Sequence, residues 1–262
     1  YLRNQEIEMT SVSPLLNILS KNVRKECKTI VRDFFEIEKL QSSQKEFNSF
    51  VDNSESSIKN KIILILQKIR PKLQITLKSG DELESCWLVN FIDNKLNFSR
   101  ANTNFLVSIT LKEENEIKAS FFFNPVLDDF FFFQKGLGSY KNDERIRVSG
   151  RKKISESMIS IHKKSEETDD SEAVVFAKNI LTKKNIIQRE SGSIFFDLCN
   201  LASGKLDCCL FVNPSKKTLS ISSLIISESG GMLLNLLYKN SEIYLAGNKY
   251  IEKLVKEMLE KQ

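Results

Sequence analysis

Trp87-Leu88-Val89-Asn90-Phe91-Ile92-Asp93-Asn94-Lys95-Leu96-Asn97-Phe98 is the stretch whose reading decides the fold. Apolar residues come in quick succession, then an acid, then a short polar step, then Asn97-Phe98. The run reads as a buried strand over Trp87 to Ile92, ending in a turn that carries side chains into a cleft.

Around this stretch, 262 residues fit one large domain or two small ones. With 41% hydrophobic and 28% charged residues the chain can bury a full core and is not a disordered polymer. No run approaches the roughly 18 apolar residues of a membrane span. The segment from Tyr1 is polar, without the apolar region of a signal peptide. Five cysteines, an odd number without metal-type spacing, point to a reducing compartment and so to the cytoplasm. The single histidine, His162, argues against a His-based zinc site or a Ser-His-Asp triad. A net charge of +5 permits acidic partners without demonstrating nucleic-acid binding.

Before the central stretch, Ser13-Pro14 is a helix start. Leu15, Leu16, Leu19, Val23, Cys27, Ile30, Val31 and Phe34 recur at three and four, which predicts one amphipathic helix to about Leu40. Asp52 to Ser57 reads as a second start, with Ile58, Ile62, Ile65, Leu66 and Ile69 on its apolar face and Arg70-Pro71 as its stop. Leu73 to Leu77 is a strand and Lys78 to Ser85 a polar loop. After the stretch, Phe105 to Lys112 and Ile117 to Asn124 flank a hairpin turn at Glu113-Glu114-Asn115-Glu116. Phe130 to Phe133 is too apolar for a solvated strand, so at least one face must pack on a helix or a partner. Lys135-Gly136-Leu137-Gly138 is a turn and lacks what a phosphate loop needs. Beyond Gly150 short strands alternate with helices, an α/β texture. Strands are expected over Met158 to Ile161, Ile186 to Gln188, Cys208 to Val212, Met232 to Leu237 and Ile243 to Leu245. Helices are expected over Ala173 to Leu181, Ser193 to Ala202, Thr218 to Ser229 and Tyr250 to Leu259, with an acidic loop at Glu166 to Ser171.

The central stretch resembles the signature of the inositol monophosphatase family: Trp, two apolars, Asp, Pro, apolar, Asp, Gly, Thr, any residue, Asn, Phe. The match needs no gap, and Asp93 matches. Asn90 stands at the first Asp, Phe91 at the Pro, and Asn94-Lys95 at Gly-Thr. Asn124-Pro125, the Lys-Gly-any-Gly at Lys135 and a short strand ending in Val148-Ser149 also resemble the family. Arg189-Glu190-Ser191-Gly192-Ser193, followed by Asp197-Leu198, Ala202, Gly204 and Leu206-Asp207, is similar to its substrate helix. A Gly before a helix start lets backbone approach a ligand, and the free amides attract anions. Read alone, Gly192 merely permits a turn. Leu224 to Gly231 resembles the closing motif. Counted back from Gly230, the family's Trp-Asp falls on Lys217-Thr218, and its hydroxyl-binding Glu falls on Phe211. The acids that precede the Trp motif fall on Lys78-Ser79 in one alignment and on Asp81-Glu82 in another.

The resemblance implies an α/β fold with an α+β amino-terminal half, the layered αβαβα sandwich of the inositol monophosphatase and sugar phosphatase type. Its halves would be residues 1–149 and 150–262, with a cleft between them. It implies Mg2+-assisted hydrolysis of a phosphate monoester such as an inositol monophosphate. The implied metal positions are Asp93, the carbonyl of Ile92, the degenerate Asn90 and Thr218, and, in the second alignment, Asp81 and Glu82. Neutral Asn90 and Thr218 do not supply the charge that holds a divalent ion. The implied substrate-binding positions are Asn94, Lys95, Gly192, Ser193, Ile194 and the degenerate Phe211. Lys95, at the family's catalytic Thr, reads as a non-catalytic cation, either exposed on its loop or paired with Asp93 in place of a metal.

The chain looks closest to the extragenic-suppressor branch, whose members bind transcription antitermination factors and RNA polymerase. The expectation is a cytoplasmic binding protein of this kind with impaired phosphatase chemistry. It would be a homodimer, with Phe130 to Phe133 offering apolar surface to the pair. A magnesium-dependent phosphomonoesterase is the alternative, and a module that holds a phosphate-type anion without turnover is a third reading.

Overall fold

The computed structural model describes residues 14–39, 44–77, 83–163 and 171–260. Most of the expected acidic loop and most of the polar loop after Leu77, with Asp81 and Glu82, lie outside the described residues. Helix α1 (Pro14–Glu26) and helix α2 (Lys28–Lys39) stand where the pattern predicts one helix. They part at Cys27, although its N–H still reaches Val23 O at 2.9 Å and its carbonyl still accepts from Val31 N at 3.2 Å. Leu16, Leu19, Val23, Cys27, Ile30, Phe34 and Ile37 form one buried stripe across both.

Helix α3 (Gln44–Ile69) starts well before Asp52. Ser, Asn and Asp suggest a cap because their side chains compete for backbone groups. Here the buried stripe Val51, Ser54, Ile58, Ile62 and Leu66 overrides that preference. Ser54 Oγ donates to Phe50 O at 3.0 Å and stays inside the helix.

Strand β1 (Gln74–Thr76) pairs parallel with β2 (Cys86–Asn90), which leads into the short helix α4 (Lys95–Ser99). Strands β3 (Val107–Glu113), β4 (Glu116–Asn124), β5 (Asp129–Gln134), β6 (Gly138–Lys141) and β7 (Glu144–Arg145) extend the sheet as an antiparallel meander in sequence order. Between β3 and β4, Glu114 and Asn115 both have positive φ, 53° and 62°, the two-residue hairpin geometry that matches strand twist. The chain from Arg147 to Gly150, expected to end a short strand, pairs with none and instead forms a link, with Val148 N bonded to Ser229 O at 3.1 Å.

The second sheet contains β8 (Met158–Lys163), β9 (Ile187–Arg189), β10 (Cys208–Val212), β11 (Met232–Tyr238) and β12 (Ser241–Gly247), in the order β11-β12-β10-β8-β9. Helices α5 (Glu172–Lys183), α6 (Ile194–Ala202), α7 (Lys216–Glu228) and α8 (Lys249–Glu260) alternate with its strands.

Side-chain alternation builds the layers. On the first sheet Phe121, Phe123, Phe130 and Phe132 join the core under α1, α2 and α3, whereas Phe122, Phe131 and Phe133 join a second core with α6 and α7. On β10, Cys209 and Phe211 face that same second core, while Cys208, Leu210 and Val212 face a third core with α5 and α8. The result is an αβαβα sandwich. Phe130 to Phe133 is therefore not a docking surface. All four rings are at most 4% exposed, because both faces of their strand are covered. No helix among the described residues is long and apolar enough to cross a membrane.

Candidate functional site

Strand β2 ends at Asn90, and Phe91 and Ile92 plunge into the core. The chain then turns at Asp93. Its N–H donates to Leu106 O at 3.1 Å, and its Oδ1 accepts from Leu106 N at 2.7 Å. Asn94 caps α4, with Oδ1 accepting from Asn97 N at 2.8 Å. Its Nδ2 donates to Gly192 O at 2.6 Å, and Asn97 Nδ2 donates to Ser191 O at 2.7 Å. Two asparagines thus clamp the turn to the loop that enters α6. That loop needs a glycine: Gly192 has φ +80°, and a Cβ there would lie 2.8 Å from Asn94 Nδ2.

Ser193 links the two segments. Its Oγ accepts from Phe196 N at 3.1 Å as the cap of α6 and donates to Asp93 Oδ2. A carboxylate behind a helix start also suits the positive end of the helix dipole. Burial outweighs these hydrogen bonds and pushes the Asp93 carboxyl up to about 6.

A cavity of about 580 Å³ opens beside this junction. Asn90, Asp93, Gly192, Ser193, Ile194, Phe211 and Thr218, all singled out in the sequence, line it together. Two helix entrances face it, α6 at Ser193 and α7 at Ser215, where Ser215 Oγ accepts from Thr218 N at 3.1 Å. Such entrances favour anions. Thr218 Oγ1 lies 2.9 Å from Ser215 Oγ.

Three expected residues are placed differently. Asn94 does not line the cavity, because one end of its amide caps α4 and the other serves the clamp. Ile92, expected to offer its carbonyl, is not among the residues that line the cavity, and its side chain packs in the core. Lys95 points away from Asp93. Its Nζ lies 3.1 Å from Asp52 Oδ1 and 2.5 Å from Glu55 Oε2, both on α3. The Asp93–Lys95 ion pair is not formed, because Asp93 is turned inward to two donors while α3 offers Lys95 two acids.

Further cavity residues were not marked in the sequence as functional: His162 and Lys163 at the end of β8, Lys178 on α5, Glu190, quoted only within the helix motif, and Pro214. Strand alternation places an unknown side chain on a face but not beside a particular partner, so only the sheet order could bring these together. His162 carried one usable signal, as the only imidazole in the chain.

The donors described around the cavity do not fit a magnesium site. They comprise two carboxylates, Asp93 engaged by two hydrogen-bond donors and Glu190 paired with Lys178 at 2.7 Å, with the neutral amide of Asn90 and the hydroxyls of Ser193, Ser215 and Thr218. Magnesium takes octahedral oxygen ligands and is held chiefly by carboxylates and water.

Comparison with known proteins supplies the family. An inositol-1-monophosphatase of Mesorhizobium japonicum is 26% identical over 260 residues, covering 95% of this chain and 97% of that protein. A protein of Haemophilus influenzae named Nus factor SuhB is 25% identical over 258 residues, covering 95% and 96%. The crystal structure of the extragenic suppressor protein suhB from Bartonella henselae superposes with a TM-score of 0.75 at 22% identity, over 95% of this chain and 99% of that one, and shares the fold. The family model for the inositol monophosphatase family matches residues 11–259, and the chain belongs to that family.

Proposed function

We propose that this chain is an extragenic-suppressor-type member of the family with impaired phosphatase chemistry. It acts through binding to the transcription and RNA machinery, and its cleft holds a phosphate-type anion. The observation that carries the reading is the use made of Asp93. Where the family resemblance implies a metal ligand, this carboxylate accepts from Leu106 N and from Ser193 Oγ and joins β2 to α6. Asn90 and Thr218 add no charge beside it. The anion reading is supported by the two helix entrances on one cavity. The binding role is supported by the similarity to a relative named a Nus factor.

The test is phosphate release from inositol 1-phosphate with magnesium, run beside Asp93→Ala, together with co-purification with RNA polymerase and antitermination factors. The wild type is expected to be no faster than Asp93→Ala and to retain the transcription partners. Magnesium-dependent turnover well above that control would sink the impaired-chemistry reading and favour the phosphomonoesterase.

A further inference from the structure

One wall of the cavity, at the ends of β8 and β10, carries His162, which none of the quoted motifs includes, beside Phe211. His162 and Phe211 are cross-strand neighbours in the parallel register. Their rings stack with centroids 5.8 Å apart at 20°. Phe211 stands where the resemblance places an acid that binds ligand hydroxyls, and it has no acceptor to offer. His162 does.

Asp197, on the first turn of α6, is fully buried and brings Oδ2 to 3.1 Å from His162 Nε2. The approach is off the N–H axis, so Nε2 and both Asp197 oxygens lack a directed hydrogen-bond partner. A buried carboxylate in that position draws the ring proton to the nearer nitrogen, Nε2. With the proton on Nε2, Nδ1 is the acceptor of the ring, and the ring lines the cavity.

We infer that His162, held in its Nε2–H form by Asp197, is a ligand-contacting residue whose Nδ1 accepts a hydrogen bond from a hydroxyl of a polyhydroxylated phosphate monoester. The ligand's phosphate then lies at the helix entrances and its alcohol portion against β8 and β10. His162 fills on β8 the acceptor role that Phe211 leaves open on β10. Asp197 is a positioning residue. The other charged groups on the cavity wall are Lys163, Lys178, Glu190 and Asp93. Lys178 pairs with Glu190 at 2.7 Å, and Asp93 is engaged by Ser193 and Leu106. This inference rests on the reading of the cleft as a phosphate-anion site.

The test exploits the single histidine, whose ring nitrogens give one set of signals in 15N NMR. The free wild type should show the Nε2–H tautomer. Inositol 1-phosphate should shift the His162 ring nitrogens saturably, and inorganic phosphate should bind while moving them little. By calorimetry, His162→Phe should weaken inositol 1-phosphate about five- to tenfold, the worth of about one net hydrogen bond, and leave inorganic phosphate within about twofold. Asp197→Asn should mix the two tautomers and weaken the same ligand. The wild-type spectra stand even if a variant fails to fold. An Nδ1–H tautomer, ring signals indifferent to saturating inositol 1-phosphate, or an unchanged affinity in folded His162→Phe overturns the inference and leaves the cleft reading intact. Failure of both ligands to bind overturns the cleft reading and the inference with it.

Discussion

The carboxylate of Asp93 lies between the Leu106 N–H and the Ser193 hydroxyl, and the surrounding protein strips it of water. Its pKa rises from the usual 3.8 to about 6. The folded state then binds the proton more tightly than the unfolded chain. The stabilisation from this group is full below the unfolded pKa and is lost as pH rises through the folded value. A shift of this size corresponds to about 1–3 kcal/mol once residual exposure is allowed for. The difference in unfolding free energy between wild type and Asp93→Asn should therefore fall by about that amount from about pH 4 to about pH 6.5. Urea unfolding across that range measures it, and a flat difference would mean that the carboxylate is ordinarily solvated. Lys95 teaches a related lesson. Its nearest acid in sequence is Asp93, two residues away, but its partners are Asp52 and Glu55 on another helix. Proximity along a turn does not decide direction, since successive stems diverge.

At the scale of elements, the entrance of α6 is the piece on which the cleft depends. Gly192 bends the backbone at φ +80°, Ser193 caps the helix, and Asn94 closes over the bend. The pattern Ser191-Gly192-Ser193 was legible as a helix start. The clamp was not, because Asn94 and Asn97 lie almost a hundred residues away along the chain. Gly192→Ala must hold an unfavourable φ and push its Cβ into the Asn94 amide, at a cost of about 1–3 kcal/mol. Thermal unfolding should show that loss. Placed on an Asn94→Ala background, the same substitution should cost less, with a coupling of at least about 0.5 kcal/mol. Strictly additive losses would show that the clamp does not press on the glycine. The early start of α3 belongs to this scale as well. Its polar Asp52 to Ser57 segment resembles a cap until the stripe from Val51 to Leu66 is seen against the sheet.

For the whole molecule, the shared second core matters most. Phe122, Phe131 and Phe133 of the first sheet pack with Leu198 of α6 and Ile225 of α7, and Cys209 and Phe211 of the second sheet reach the same core. Burying large side chains of this kind contributes on the order of 1.5–3 kcal/mol each. Neither sheet keeps that core without the other. Trp87, the only tryptophan, sits fully buried on the first sheet and reports on it alone. Denaturant unfolding followed by Trp87 fluorescence and by far-ultraviolet circular dichroism should give coincident transitions. Two separated midpoints would show that the sheets unfold independently.

The sequence by itself determined the identity and order of most elements. Apolar period and punctuation are local properties, so Cys208 to Val212 as a strand, or Ser193 as the start of a helix, can be read without knowing what lies nearby. It also marked Asn90, Asp93, Gly192, Ser193, Ile194, Phe211 and Thr218, which the fold collects around one cavity. Only the tertiary structure decided which faces are covered and which groups meet. Phe130 to Phe133 had to pack on a helix or a partner on at least one face, and the fold covers both, with α6 and α7 over one and α1 to α3 over the other. Asp93 found Ser193, Lys95 found α3, and His162 found Asp197. Each pairing joins segments distant in sequence, and a hydrogen bond or ion pair is settled by ångström-scale geometry that side-chain periodicity does not encode.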